Sequence, residues 1–180
     1  KLQNRLNESK GFTLVELIVV IAIMVILIAL LVPNVVGYIS SSQTTANLSA
    51  AKSIYNAANT CVVNGKASTG TYPNATAVAN LMSGKEASGT GSTEKLVTVP
   101  TGTSATIYYD ETKGVVEQVI AASVNGDVVA TDASASNQAV YDPEKSGNAY
   151  ETSTGTWTAP SGGGIKAIDC KNGADWTTTP

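Results

Sequence analysis

Sixteen consecutive apolar residues, Leu17 to Val32, constrain this chain more than any other feature. With Phe12, Thr13, Leu14, Val15 and Glu16 they make a segment of 21 residues. As a helix that segment is about 31 Å long, close to the roughly 30 Å of a bilayer's hydrocarbon core. It is therefore predicted to be stored in a membrane. Lys1, Arg5 and Lys10, against Glu8 alone, place its start on the cytoplasmic side. A secretory signal peptide has a shorter apolar region and a small-residue cleavage site after it. Pro33-Asn34-Val35-Val36 follows here, which is a poor site. A simple single-pass anchor explains length and flanking charge but not Glu16, since a charge inside an apolar segment costs roughly 2.5–3.5 kcal/mol even on mild insertion scales.

Charge and composition remove several function classes. The net charge is −3 over 180 residues. Residues 12–63 hold only Glu16 and Lys52, and the acid surplus lies from Asn64 onward. Nothing supplies a basic face for nucleic acid. Histidine is absent, which removes the commonest general base and transition-metal ligand. No G-x-S-x-G, P-loop or G-x-G-x-x-G occurs. The chain is expected to be no enzyme, with no catalytic residue, metal or cofactor. Asp110, Glu111, Asp127, Asp132 and Asp142 match no D-x-D-x-D-G calcium pattern and are expected to be turn carboxylates. Tyr72, Tyr108, Tyr109, Tyr141, Tyr150, Trp157 and Trp176 are expected in core and sheet-face packing rather than on a binding surface.

Lys10-Gly11-Phe12-Thr13-Leu14-Val15-Glu16-Leu17 resembles the processing site of type IV prepilins and their pseudopilin relatives. The resemblance covers about residues 1 to 45. It implies that a membrane-embedded prepilin peptidase cuts after Gly11 on the cytoplasmic side and that Phe12 is then N-methylated. It also implies that Glu16 serves assembly, with Thr13 beside it, and that Pro33 stands where the family often has a proline. Glu16 is then expected to meet the α-amine of Phe12 on a neighbouring subunit, each buried charge partnering the other. An intrachain contact with Phe12, four residues away on one helix, is the alternative. The family often adds a glycine where this chain has Val25, which leaves Pro33 and Gly37 to loosen the helix.

The helix is predicted to run from about Phe12 to Val63, roughly 75–80 Å. Pro33 removes the bond to the Ala29 carbonyl, so a kink or local melting belongs there. Ala50, Ile54, Ala57, Ala58 and Cys61 form an apolar stripe, with Gln43, Asn47, Lys52, Ser53, Asn56 and Asn59 on the rest. Asn64-Gly65 is predicted to end the helix. A short helix is expected at Thr76 to Met82. Strands are expected at Lys95 to Val99, Thr106 to Tyr109, Val115 to Val124 and, after Asn125-Gly126, Val128 to Thr131. Ala149 to Glu151 is a weaker candidate to pair with Thr156 to Thr158. The fold class is α+β, the type IV pilin fold: an antiparallel sheet packed on the C-terminal half of one long helix. The expected organisation is a prepilin leader (1–11), a membrane and filament-core segment (12–33), an amphipathic helical segment (34–63) and a β-rich head (64–180).

The stripe turns Cys61 toward the sheet, and Cys170 lies near the C-terminus. Either one Cys61–Cys170 disulfide forms, as a compartment outside the cytosol permits, or each is a separately buried thiol. The familiar Gram-negative arrangement brackets a C-terminal loop with both cysteines; its absence suggests a Gram-positive, clostridial-type lineage. The function implied is a major pilin of a type IV pilus serving adhesion, motility or aggregation. Rivals are a minor pilin or secretion pseudopilin, and a membrane-anchored binding protein that never polymerises. The partners implied are other copies of the chain, the prepilin peptidase, the pilus assembly platform with minor pilins, and membrane lipid before assembly. The expected location is the cytoplasmic membrane, then the cell-surface pilus.

Overall fold

The computed structural model describes residues 12–88, 95–99, 101–123, 138–143, 150–151, 159–171 and 173–179. Gly11, the strand expected at Val128 to Thr131 with its Asn125-Gly126 turn, and Thr156 to Thr158 lie outside them. The chain forms two compact units, Lys1–Ser40 and Ser41–Pro180.

The first unit is the start of helix α1, which spans Leu14–Thr69. In hydrocarbon every backbone N–H and C=O needs a partner within its own segment, so an apolar run of this length is driven to helix despite its many β-branched residues. The chain stays α-helical through Pro33, so the local melting expected there does not occur. Proline deletes one hydrogen bond, and intact bonds on both sides hold the register. Large apolar side chains such as Leu17, Ile21, Leu27 and Leu31 are more than half exposed. This helix is long and apolar enough to cross a membrane, and its most apolar window is buried nowhere by the chain itself.

In the second unit α1 turns one face inward. Thr44, Asn47, Ala51, Ile54, Ala58 and Cys61 recur at spacings of three and four and are buried. Asn47, expected on the polar side, therefore belongs to the covered face. The helix does not stop at Asn64-Gly65 but runs to Thr69, where Gly70 takes φ 76° and donates to the Lys66 carbonyl. Gly65 serves packing instead: a Cβ there would stand 2.9 Å from Pro73 Cγ. Helix α2, Ala75–Met82, begins one residue before the expected start because Asn74 caps it, its side chain accepting from Ala77 N at 2.8 Å.

Among the described residues six strands form one antiparallel sheet in the order β4-β3-β2-β1-β5-β6. They are β1 Thr103–Asp110, β2 Val115–Ser123, β3 Gln138–Tyr141, β4 Tyr150–Glu151, β5 Ile165–Cys170 and β6 Thr177–Thr178. β4 pairs with β3. Lys95 to Val99 forms no strand; Val99 is buried and Val97 partly so, and their alternation serves packing without a ladder. On one face of the sheet Ala105, Ile107, Tyr109, Val119, Ala121 and Ile168 join the inward residues of α1 and α2 in the main core. The other face is covered as well: Tyr108, Ile120, Ala122 and Val140 form a second cluster against which Ala159, Ile165 and Ala167 pack.

Candidate functional site

The N-terminus of α1 is closed by two of its own side chains. Thr13 precedes the first helical residue and Glu16 stands three positions later. The Thr13 backbone N–H donates to Glu16 Oε2 at 2.9 Å, and the Thr13 hydroxyl donates to the same oxygen at 2.8 Å. In return Glu16 N donates to Thr13 Oγ1 at 3.2 Å. This is a capping box, in which a threonine and a glutamate each satisfy a donor the helix start leaves open. The positive end of the helix dipole adds to it. The carboxylate that looked too costly for an apolar segment thus has two hydrogen bonds of its own. Glu16 Oε1 makes no hydrogen bond among the described residues, which leaves one oxygen for a partner from outside. Phe12 is 85% exposed.

The sequence expectation had Glu16 reaching Phe12, from its own chain or a neighbour's. In the structure its recorded partner is Thr13. The signal was present in the sequence, since Thr13-Leu14-Val15-Glu16 is the S/T-x-x-E pattern just before an apolar run. Pro33 lies within α1, twenty residues beyond Thr13, and Gly37 has open space where a side chain would begin.

The remaining candidate residues serve the head. Cys61 and Cys170 are both buried in the main core as free thiols, and no bridge joins them in the structure. Cys170 Sγ donates to the Ala174 carbonyl at 3.0 Å. Burial pushes the Cys61 thiol up to about 11 and the Cys170 thiol upward as well. Asp110 turns into its own hairpin loop, accepting from Thr112 N at 2.9 Å and pairing with Lys113 Nζ at 3.0 Å. Hydrogen bonds from the Thr112 hydroxyl and from Lys113 hold its carboxyl well below the usual range. Glu111 Oε1 accepts from Ala75 N at 2.6 Å and so adds a second cap to α2. Among the described residues no group of acids and cysteines is arranged to hold a metal. Asp127 and Asp132 lie outside those residues. Tyr109 is buried with its hydroxyl donating to the Pro73 carbonyl at 2.8 Å, Trp176 is buried, and the Tyr141 ring packs against Tyr55 at 4.9 Å in a tilted arrangement.

Residues 6–32 match the family model described as the prokaryotic N-terminal methylation motif. Its range brackets Gly11, Phe12 and the Thr13–Glu16 box, and it ends with the apolar run. The chain is 39% identical over 85 residues to the type IV major fimbrial protein FimA of Dichelobacter nodosus, covering 47% of this chain and 54% of that one. By its N-terminal half the chain is similar to type IV pilins. Fimbrial protein Q of Moraxella bovis is 50% identical over 56 residues, 29% of this chain and 36% of that protein. The type IV major alpha-pilin of Moraxella bovis is 50% identical over the same length, 29% of this chain and 35% of that one. The chain thus spans about half of the FimA chain and little over a third of the other two. No solved structure matches it. Neither these relatives nor the fold supports a Gram-positive lineage.

Proposed function

We propose that this chain is a type IV pilin, the major structural subunit of a type IV pilus. Its precursor is held in the cytoplasmic membrane by residues 12–33, with residues 1–11 as the leader. The prepilin peptidase cuts between Gly11 and Phe12, and Phe12 is N-methylated. Copies then leave the bilayer through an assembly platform and bury their apolar helices against one another in a surface filament. The observation that carries this reading is a wholly exposed apolar helix that opens on a capped glutamate. A lipid bilayer or a bundle of like helices covers such a surface, and water does not.

Cutting before the apolar run leaves it on the mature subunit, which makes sense only if copies of the run bury one another. The free Glu16 Oε1 then faces the Phe12 amine of the neighbouring subunit, so that the two charges enter the low-dielectric bundle as a pair. The role is structural rather than enzymatic, as the names of the matched relatives suggest.

Electron microscopy and mass spectrometry of shear-released surface material test the proposal. Abundant filaments of this chain that begin at N-methylated Phe12 are expected. Filaments with an intact Lys1, or none containing this chain, would overturn it. Gly11→Leu is expected to leave uncut precursor in the membrane.

A further inference from the structure

A cleft of about 470 Å³ opens beside the end of α1, lined by Asn59, Val62, Val63, Ala67, Tyr72 and Gly114 around Lys66. Its wall is apolar yet open to solvent, with Val63 65% exposed and Tyr72 40% exposed. Lys66 Nζ stands 3.9 Å from the centre of the Tyr72 ring, and that ring lies where a Cβ on Gly114 would be, 2.0 Å from Tyr72 Cδ1. A lysine in the last turn already complements the helix carbonyls, and that task alone leaves its ammonium in water. Here it is drawn over an aromatic face at the mouth of an apolar cleft, where it stays exposed and open to an incoming group. Among the described residues no carboxylate pairs with it.

The occupant is defined by charge. From Asn64 to Pro180 the chain carries twelve carboxylates and seven lysines. Heads of that charge repel when packed side by side, so a contact between them needs a cation on one copy facing an acid on the next. Asp110 and Glu117 are bound to Lys113, Asp175 to Lys85 and Lys95, Glu111 to Ala75 N and Asp169 to Thr106. Glu86 is exposed, and among the described residues it makes no ion pair or hydrogen bond. It stands four residues past the last residue of α2, whereas Tyr72 stands three before its first. The acid and the cleft therefore flank opposite ends of one short helix. Two unlike, complementary patches at separate places on a molecule make a head-to-tail contact, and such contacts repeat into open filaments.

We propose that the Lys66–Tyr72 cleft receives Glu86 of a neighbouring copy. The proposal rests on the polymer reading above and assigns one of its head-to-head contacts. Cells assembling the full chain are compared with cells carrying Lys66→Glu, Glu86→Lys or both. Each single reversal is expected to lower the yield of sheared filaments about tenfold or more, with the membrane pool unchanged, and the double reversal to restore it. Single reversals that assemble like the unaltered chain, or a double reversal that stays deficient, overturn the contact. Where a reversal lowers the melting temperature of the detergent-extracted subunit, Lys66→Cys with Glu86→Cys decides instead: oxidation yields a ladder of linked copies if the two sites meet, and no ladder overturns the contact. If the unaltered chain makes no filament, the polymer reading fails, and the same ladder on extracted membranes judges the contact by itself.

Discussion

In the assembly proposed above, Glu16 has two duties that chemistry normally sets against each other: to survive in an apolar segment and still attract a partner. The capping box reconciles them by dividing the carboxylate, with Oε2 committed to Thr13 and Oε1 without a hydrogen bond among the described residues. Two substitutions separate the duties. Thr13→Ala removes the hydroxyl half of the box, at about 1 kcal/mol of helix-start stability, but leaves the charge; filaments are expected in reduced number. Glu16→Ala removes the charge, and the chain is expected to insert in the membrane at the normal level but to assemble few filaments, counted on micrographs. Wild-type filament numbers from Glu16→Ala would exclude an intersubunit role. Asp110 supplies a second test at this scale. Its carboxyl is depressed by hydrogen bonds from Thr112 and Lys113, so its ionised form is favoured in the fold. That contribution is complete above the unfolded carboxylate value of about 3.9 and fades as pH falls below it. Asp110→Asn is expected to melt at a lower temperature than the parent at pH 7, and the gap is expected to narrow steadily as pH falls from about 4 toward the depressed range of the folded carboxyl. A gap that is constant with pH would assign the loss to geometry rather than charge.

Elements were legible where one physical signal dominated. The length of the apolar run and the three-four stripe beyond it specify α1, and the Asp110–Gly114 loop between two β-branched runs specifies β1 and β2. Asn64-Gly65 misled because glycine was read as a stop when its missing side chain makes room for Pro73. β5 escaped notice because both faces of the sheet are covered. Ile168 and Cys170 face one core and Ala167 the other, so Ile165–Cys170 shows no alternation of apolar and polar residues. β6 is two threonines on an edge, too short to carry a pattern. The Thr13–Glu16 box was written plainly in the sequence, whereas the Lys66 cleft joins three segments and no local pattern announces it. Gly114 ties that cleft to the β1–β2 turn. It has φ 68° and a Tyr72 ring where a side chain would begin. Gly114→Ala is expected to cost about 1–3 kcal/mol from the backbone conformation alone, with further loss from displacing the ring. A melting temperature within a degree of the parent's would show that Tyr72 does not need this seat.

At the scale of the whole molecule, Cys61 and Cys170 report on the joint between helix and sheet. One stands on α1 and the other on β5, and both lie in the core that binds those elements together. As free buried thiols they leave that joint to packing alone. Their reactivity then measures how often the head opens. A labelling reagent attacks the thiolate, and burial pushes the Cys61 thiol up to about 11, so at pH 8 the folded chain presents far less thiolate at this site than a cysteine of ordinary value. Local fraying of loops does not expose a residue in the central core; separation of α1 from the sheet does. Alkylation of the native full chain in detergent is therefore expected to be slow at both positions. Its rate should rise with denaturant in step with loss of the fold, and two labels per chain should appear once it is unfolded without reductant. Absence of label on the unfolded chain until reductant is added would show that the pair is oxidised in the cell. The helix would then be fastened covalently to the sheet, and the head would withstand tension on the filament by that bond as well as by its core.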